Sequence, residues 1–172
     1  EYNVINTSWE NIHVGDDDIF NPPTINNIAS NNIIRYNVLN LNSSTNQQEG
    51  IIVKTGATGT LVYGNEINFL GGLQGDAIGL FAAGPGNIIY DNIITGSSYE
   101  HGQILIYKSS GNTFQNNTFM SGSTHEYQLG YSDASHESDN VIIKDHDDNI
   151  SIKTAATSGS SYRIRHYDSA IF

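Results

Sequence analysis

The chain has no cysteine and only seven Lys plus Arg among its 172 residues. Disulfides and thiolate metal sites are therefore excluded. A secreted protein can do without cysteine if its core suffices by itself. Against the seven basic residues stand 18 acidic ones, leaving a net charge of -11. That balance argues against nucleic-acid binding, because phosphate contacts need clustered Lys and Arg. No apolar run approaches 18 residues, so no segment reads as a membrane span. Leu is sparse, and good helix formers nowhere hold a 3.6-residue period for more than a few residues. The chain shows no signal peptide and does not begin with Met. It opens on the strand-like Tyr2-Asn3-Val4-Ile5, so it reads as a mature or excised piece of something longer.

What is abundant is Asn, Gly, Ser and Thr, with Ile and Val carrying most of the apolar content. Ile and Val favour strands. Five times a short phrase closes an apolar pair with Asn or Asp. The phrases are Asn32-Ile33-Ile34-Arg35-Tyr36-Asn37, Thr60 to Asn65, Asn87 to Asn92, Asn112 to Asn117 and Asn140 to Asp145. Their closing residues are 28, 27, 25 and 28 apart. A period of that size signals a solenoid. Regular Ile pairs at this spacing also argue against a disordered, low-complexity chain.

Each repeat holds two further apolar segments. One precedes a turn: Glu49 to Lys54, Asp76 to Phe81, Gly102 to Lys108 and Glu126 to Tyr131. The other follows the closing residue: Val38–Leu41, Glu66–Leu70, Ile93–Thr95 and Thr118–Met120. Three short strands and three turns per repeat make the coil of a parallel β-helix. Alternation puts Ile34, Val62, Ile89, Phe114 and Ile142 inside on one sheet. It puts Ile51 and Val53, Ile78 and Leu80, Ile104 and Ile106 inside on another. The closing Asn is expected at a tight corner, in a left-handed conformation, with its amide bonded to the coils above and below. In the first coil, Val4-Ile5-Asn6 is expected as the corner phrase and Glu10 to Gly15 as the following strand.

This cadence resembles the right-handed parallel β-helix superfamily of pectate lyases, polygalacturonases, alginate epimerases and phage tailspikes. The resemblance covers residues 1–146. It implies an all-β, right-handed parallel β-helix of about five coils with three short strands each. After Asp145 the pattern fails, and residues 147–172 are expected as a C-terminal cap or oligomer contact. The resemblance further implies an extracellular protein, secreted or on a virion surface, that acts on polysaccharide along a groove on one sheet. A tailspike would be a homotrimer. The competing class is a non-catalytic carbohydrate-binding or structural solenoid, since fold does not give function.

The outward row of the groove strands is expected to be His13, Lys54, Phe81, Tyr107 and Gln128, with Ile52 and Leu105 beside them. Asp16, Asp17 and Asp18 would flank it on one side, and the turn acids Glu49, Asp76 and Glu126 on the other. Adjacent coils lie about 4.8 Å apart, so such groups can meet around one sugar. Phe81, Tyr107, Gln128, Glu49, Asp76 and Glu126 are the expected substrate contacts. Gly15-Asp16-Asp17-Asp18 is the most suggestive cluster, because adjacent carboxylates raise one pKa and can set an acid beside a base. It resembles the Gly-Asp-Asp element of polygalacturonases, which would make Asp16, Asp17 and Asp18 catalytic, with His13 and Lys54 beside them. The chain lacks that family's Gly-His-Gly element, its Arg-x-Lys pair and its further upstream Asp. The same three acids could instead bind Ca²⁺ or form a solvated turn. No other cofactor is expected, and the six His show no metal-like spacing on any strand. His101, His125 and Lys108 are further candidates for a lyase base. A second outward row, Arg35, Tyr63, Tyr90 and Gln115, could stack sugars or serve only the solenoid.

Overall fold

A computed structural model describes residues 2–7, 10–16, 29–42, 47–71, 74–96, 103–120, 126–129, 140–145, 152–154 and 162–167. The first coil contributes β1 (Val4–Thr7), β2 (Glu10–Val14) and β3 (Ile33–Arg35). The second contributes β4 (Val38–Asn42), β5 (Gln47–Val53) and β6 (Leu61–Tyr63). The third holds β7 (Glu66–Gly71), β8 (Gln74–Phe81) and β9 (Ile88–Tyr90). The fourth holds β10 (Ile93–Thr95), β11 (Ile104–Tyr107) and β12 (Thr113–Gln115). The fifth holds β13 (Thr118–Met120), β14 (Tyr127–Leu129) and β15 (Asn140–Asp145), and is followed by β16 (Ile152–Thr154) and β17 (Tyr162–Tyr167).

Up to β15 every third strand pairs, and all the strands fall, in parallel, into three sheets: β1-β4-β7-β10-β13, β2-β5-β8-β11-β14-β16 and β3-β6-β9-β12-β15-β17. The chain is thus an all-β parallel β-helix. β16 and β17, within residues 147–172, add further rungs to the second and third sheets.

Alternation fills the core as expected. Ile34, Val62, Ile89, Phe114 and Ile142 lie in register and are buried. So are Ile51, Ile78, Ile104 and Tyr127, and the parallel row Val53, Leu80, Ile106 and Leu129. Each such side chain removed from water contributes about 1.5–3 kcal/mol. In the fifth coil aromatics take over: Tyr127 meets Phe114 and Phe119 edge-on, with ring centres 5.9 and 5.3 Å apart.

Two asparagine ladders bracket the third sheet. The closing ladder runs Asn3, Asn37, Asn65, Asn92, Asn117. Asn3 donates to Asn37 Oδ1 at 3.0 Å, and the next three amide-to-amide bonds are each 2.9 Å. The backbone N–H groups of Asn37, Asn65 and Asn92 donate to the same oxygens. The opening ladder runs Asn32, Thr60, Asn87, Asn112, Asn140, with Asn87 Nδ2 donating to Asn112 Oδ1 at 2.9 Å. Thr60 and Asn112 donate backbone N–H groups to Asn87 and Asn140.

The corner conformation differs from the expectation in one respect. Among the described residues the closing Asn itself is not left-handed. The residue before it is: Tyr36, Gly64, Asp91 and Asn116 have φ of 57°, 61°, 52° and 49°. One kink turns the chain, and the next residue, back in ordinary conformation, aims its amide along the solenoid axis. Val4-Ile5-Asn6 is also not a corner phrase. It belongs to β1 and pairs with Val38, Leu39 and Asn40, and the first corner amide is Asn3.

Candidate functional site

The second sheet carries the expected groove, and its register splits the expected row in two. His13, Ile52, Gly79, Leu105, Gln128 and Lys153 are partners across successive strands. Phe81 and Tyr107 pair with each other two positions further along, and Lys54 continues that rung after Val53. The sequence could not distinguish these rungs, because strand starts differ by a residue or two between repeats.

The outer face of this sheet is largely closed to solvent. Ile52 and Leu105 are fully buried without belonging to the central core, and Gln128 is 2% exposed. Tyr107 is buried and packs edge-on against half-buried Phe81, with ring centres 6.2 Å apart. Lys108 Nζ sits 4.9 Å from the Tyr107 ring centre. Glu49 and Asp76 were expected in turns. They lie in β5 and β8, paired with each other, and both are buried. Alternation breaks just after Asp76: Ala77 and Ile78, adjacent in sequence, both reach the core, and both N–H groups donate to Gln103 O. Glu126 precedes β14, and its carbonyl accepts from Ile104.

Of the expected acids, Asp16 is half-buried and bridges to Thr55 on the next coil, its N–H donating at 2.9 Å. Gly15 makes this approach possible: its φ is 110°, and a Cβ there would lie 2.7 Å from Lys54 O. The structure therefore brings the Asp16 backbone against Lys54 and Thr55, and His13 is exposed on the same first coil. Asp17, Asp18, His101 and His125 lie outside the described residues. Among the described residues, no group of three or more His, Asp or Glu is placed to hold a metal.

A different surface gathers exposed aromatics. Arg35, Tyr63, Tyr90 and Gln115 are in register on the third sheet. The Tyr63 and Tyr90 rings stack 4.7 Å apart, and Arg35 donates to the Tyr63 hydroxyl at 2.8 Å. That bond holds the Arg35 guanidinium above its ordinary pKa. Burial, slight as it is, and the neighbouring Tyr63 raise the Tyr90 phenol. Two further tyrosines extend the row around the corner. Tyr36 meets Tyr63 edge-on at 5.5 Å, and Tyr2 stacks on Tyr36 at 6.0 Å. Tyr2 is 84% and Tyr36 42% exposed. Tyr36 takes the left-handed conformation, which costs a bulky residue about 1–2 kcal/mol. Its ring leans over Gly64, where a Cβ would meet Cε1 at 2.7 Å.

Beside these rings, on the bend from the third sheet to the first, lies a pocket of about 180 Å³. Tyr2, Tyr36, Glu66, Asp91 and Ile93 line it, together with Gly64 and the ladder residues Asn37 and Asn65. Sequence reasoning found Arg35, Tyr63 and Tyr90 and missed Tyr2, Tyr36, Glu66 and Asp91. The signal was present: Tyr2-Asn3 and Tyr36-Asn37 repeat one dipeptide at equivalent corners. No family model matches the chain, and neither a curated protein nor a solved structure matches it.

Proposed function

We propose that this solenoid binds carbohydrate, using the strip of Tyr2, Tyr36, Tyr63 and Tyr90 with Arg35 as its sugar platform. One observation carries the reading: four tyrosine rings in continuous contact across successive coils, two of them exposed at the corner. Aromatic faces suit the apolar faces of pyranose rings, and the Arg35 guanidinium and tyrosine hydroxyls suit sugar hydroxyls. The cadence likeness to the pectate-lyase-like superfamily favours an extended polysaccharide, an extracellular setting and, if tailspike-like, a homotrimer.

Titration calorimetry against a panel of neutral and uronic-acid oligosaccharides tests this reading. Tyr63→Ala and Tyr36→Ala should each weaken binding about tenfold, about 1.4 kcal/mol. Binding untouched by both substitutions would sink the platform.

A catalytic reading as a polysaccharide hydrolase or lyase draws on a separate observation, the apposition of Asp16 to Lys54 and Thr55 with His13 nearby. It predicts new reducing ends, or unsaturated ends absorbing in the ultraviolet, when the protein is incubated with its polysaccharide. It also predicts loss of turnover in Asp16→Asn.

A further inference from the structure

We infer that the corner pocket takes a cationic amine, the ammonium group of an amino sugar, an inference that rests on the carbohydrate reading above. Tyr2, Tyr36, Gly64, Asp91 and Asn116 occupy equivalent positions, each one residue before a closing-ladder Asn. Gly64 is the one member of that row without a side chain. The Tyr36 ring leans into the space this leaves, and Asp91 stands at the same position one coil on.

The charged residues that line the pocket are both acidic. Glu66 and Asp91 line the pocket, and no Lys, Arg or His among the described residues does. Glu66 is steadied by Asn68, whose Nδ2 donates to Oε1 at 3.0 Å. In the register of the first sheet Glu66 stands between Val38 and Ile93, so its neighbours along the row are apolar. Among the described residues, Arg35 donates to the Tyr63 hydroxyl on the third sheet. Its guanidinium lies 5.5 Å from the Tyr36 ring centre, so that ring already receives a positive charge.

Two tyrosine rings and two carboxylates around a small recess are the recognition chemistry of an ammonium group. The rings supply π-electron density at the rim of the recess, and the carboxylates supply charge and accept its N–H bonds. A uronate would meet two like charges. An N-acetylated sugar would present no charge and a bulkier group. The chain's net charge of -11 adds a long-range field that draws cations in.

The test is calorimetric titration with a glucosamine trisaccharide, its fully N-acetylated counterpart and methylammonium, at low and moderate salt. The free-amine trisaccharide is expected to bind at least tenfold more tightly than the acetylated one. The Glu66→Gln/Asp91→Asn double variant should erase that preference while still binding the acetylated sugar. Asn tolerates the left-handed conformation of residue 91 and Gln keeps an acceptor for Asn68, so the fold should be retained. Equal or tighter binding of the acetylated sugar overturns the amine inference and leaves the carbohydrate reading standing. Methylammonium binding that the double variant abolishes, with neither sugar bound, overturns the carbohydrate reading and supports the cation pocket. A free-amine preference that survives in the double variant reflects bulk charge and overturns the pocket.

Discussion

The closing and opening asparagine ladders flank the same strands, yet one is continuous and the other is broken. From Asn3 to Asn117 each described amide of the closing ladder finds its neighbour. In the opening ladder Thr60 stands where an Asn belongs. Below it, Asn32 Nδ2 is buried with no partner, and so is the Thr60 hydroxyl. A threonine side chain is one bond too short to meet the amide of the coil beneath. The comparison shows that a ladder is a chain of dependencies: one missing amide strands a donor a whole coil away.

The largest test breaks the intact ladder. Asn92 donates to Val62 O, Tyr90 O and Asn117 Oδ1 and accepts from Asn65. Asn92→Ala strands several buried groups at once and should cost about 4 kcal/mol, read from denaturant unfolding. A loss below about 1 kcal/mol would mean that water replaces the ladder. Next, Thr60→Asn should repair the broken ladder, satisfy Asn32 and gain about 1 kcal/mol. A loss instead would show that the second coil lacks room for an amide there.

Tyr127 probes the top of the closing ladder through pH. Burial pushes its phenol well above the ordinary range. An unfolded tyrosine ionises near pH 10, so this contribution is complete below that and fades as pH rises beyond it. Tyr127→Phe should therefore lose less stability between pH 9 and about 11 than the parent, in melting scans at each pH. The smallest effect is expected from Thr60→Val, within about 0.5 kcal/mol of the parent, because it removes a hydroxyl that bonds to nothing.

Much of this architecture was legible in the sequence. The inward rows through Val62 and Ile78 followed from period-two alternation, and the corner amides from the repeated closing Asn. The opening ladder was written in the same letters, at Asn32, Asn87, Asn112 and Asn140. A residue heading a strand, however, gives no sign of where its side chain points. The Ala77–Ile78 bulge was hidden because two apolar neighbours read as ordinary alternation. Glu49 and Asp76 lie in strands because β5 and β8 begin earlier than their apolar runs, at Gln47 and Gln74. Ile52 and Leu105 carried a warning that went unread: large aliphatics at outward positions imply a covered face. Tyr2 and Tyr36 escaped because turn residues have no place in an alternation pattern.

The two ladders also divide the coil into a part of fixed length and a part of free length. Five positions separate opening and closing residues in every coil, as from Asn32 to Asn37 and from Asn87 to Asn92. From a closing residue to the next opening one the chain takes between 20 positions, Asn92 to Asn112, and 29, Asn3 to Asn32. Insertions and deletions are thus confined to one arc of the circumference, where they leave the pitch untouched. Evolution can edit the rim of this molecule coil by coil while the hinged side, clamped between its amides, keeps the count.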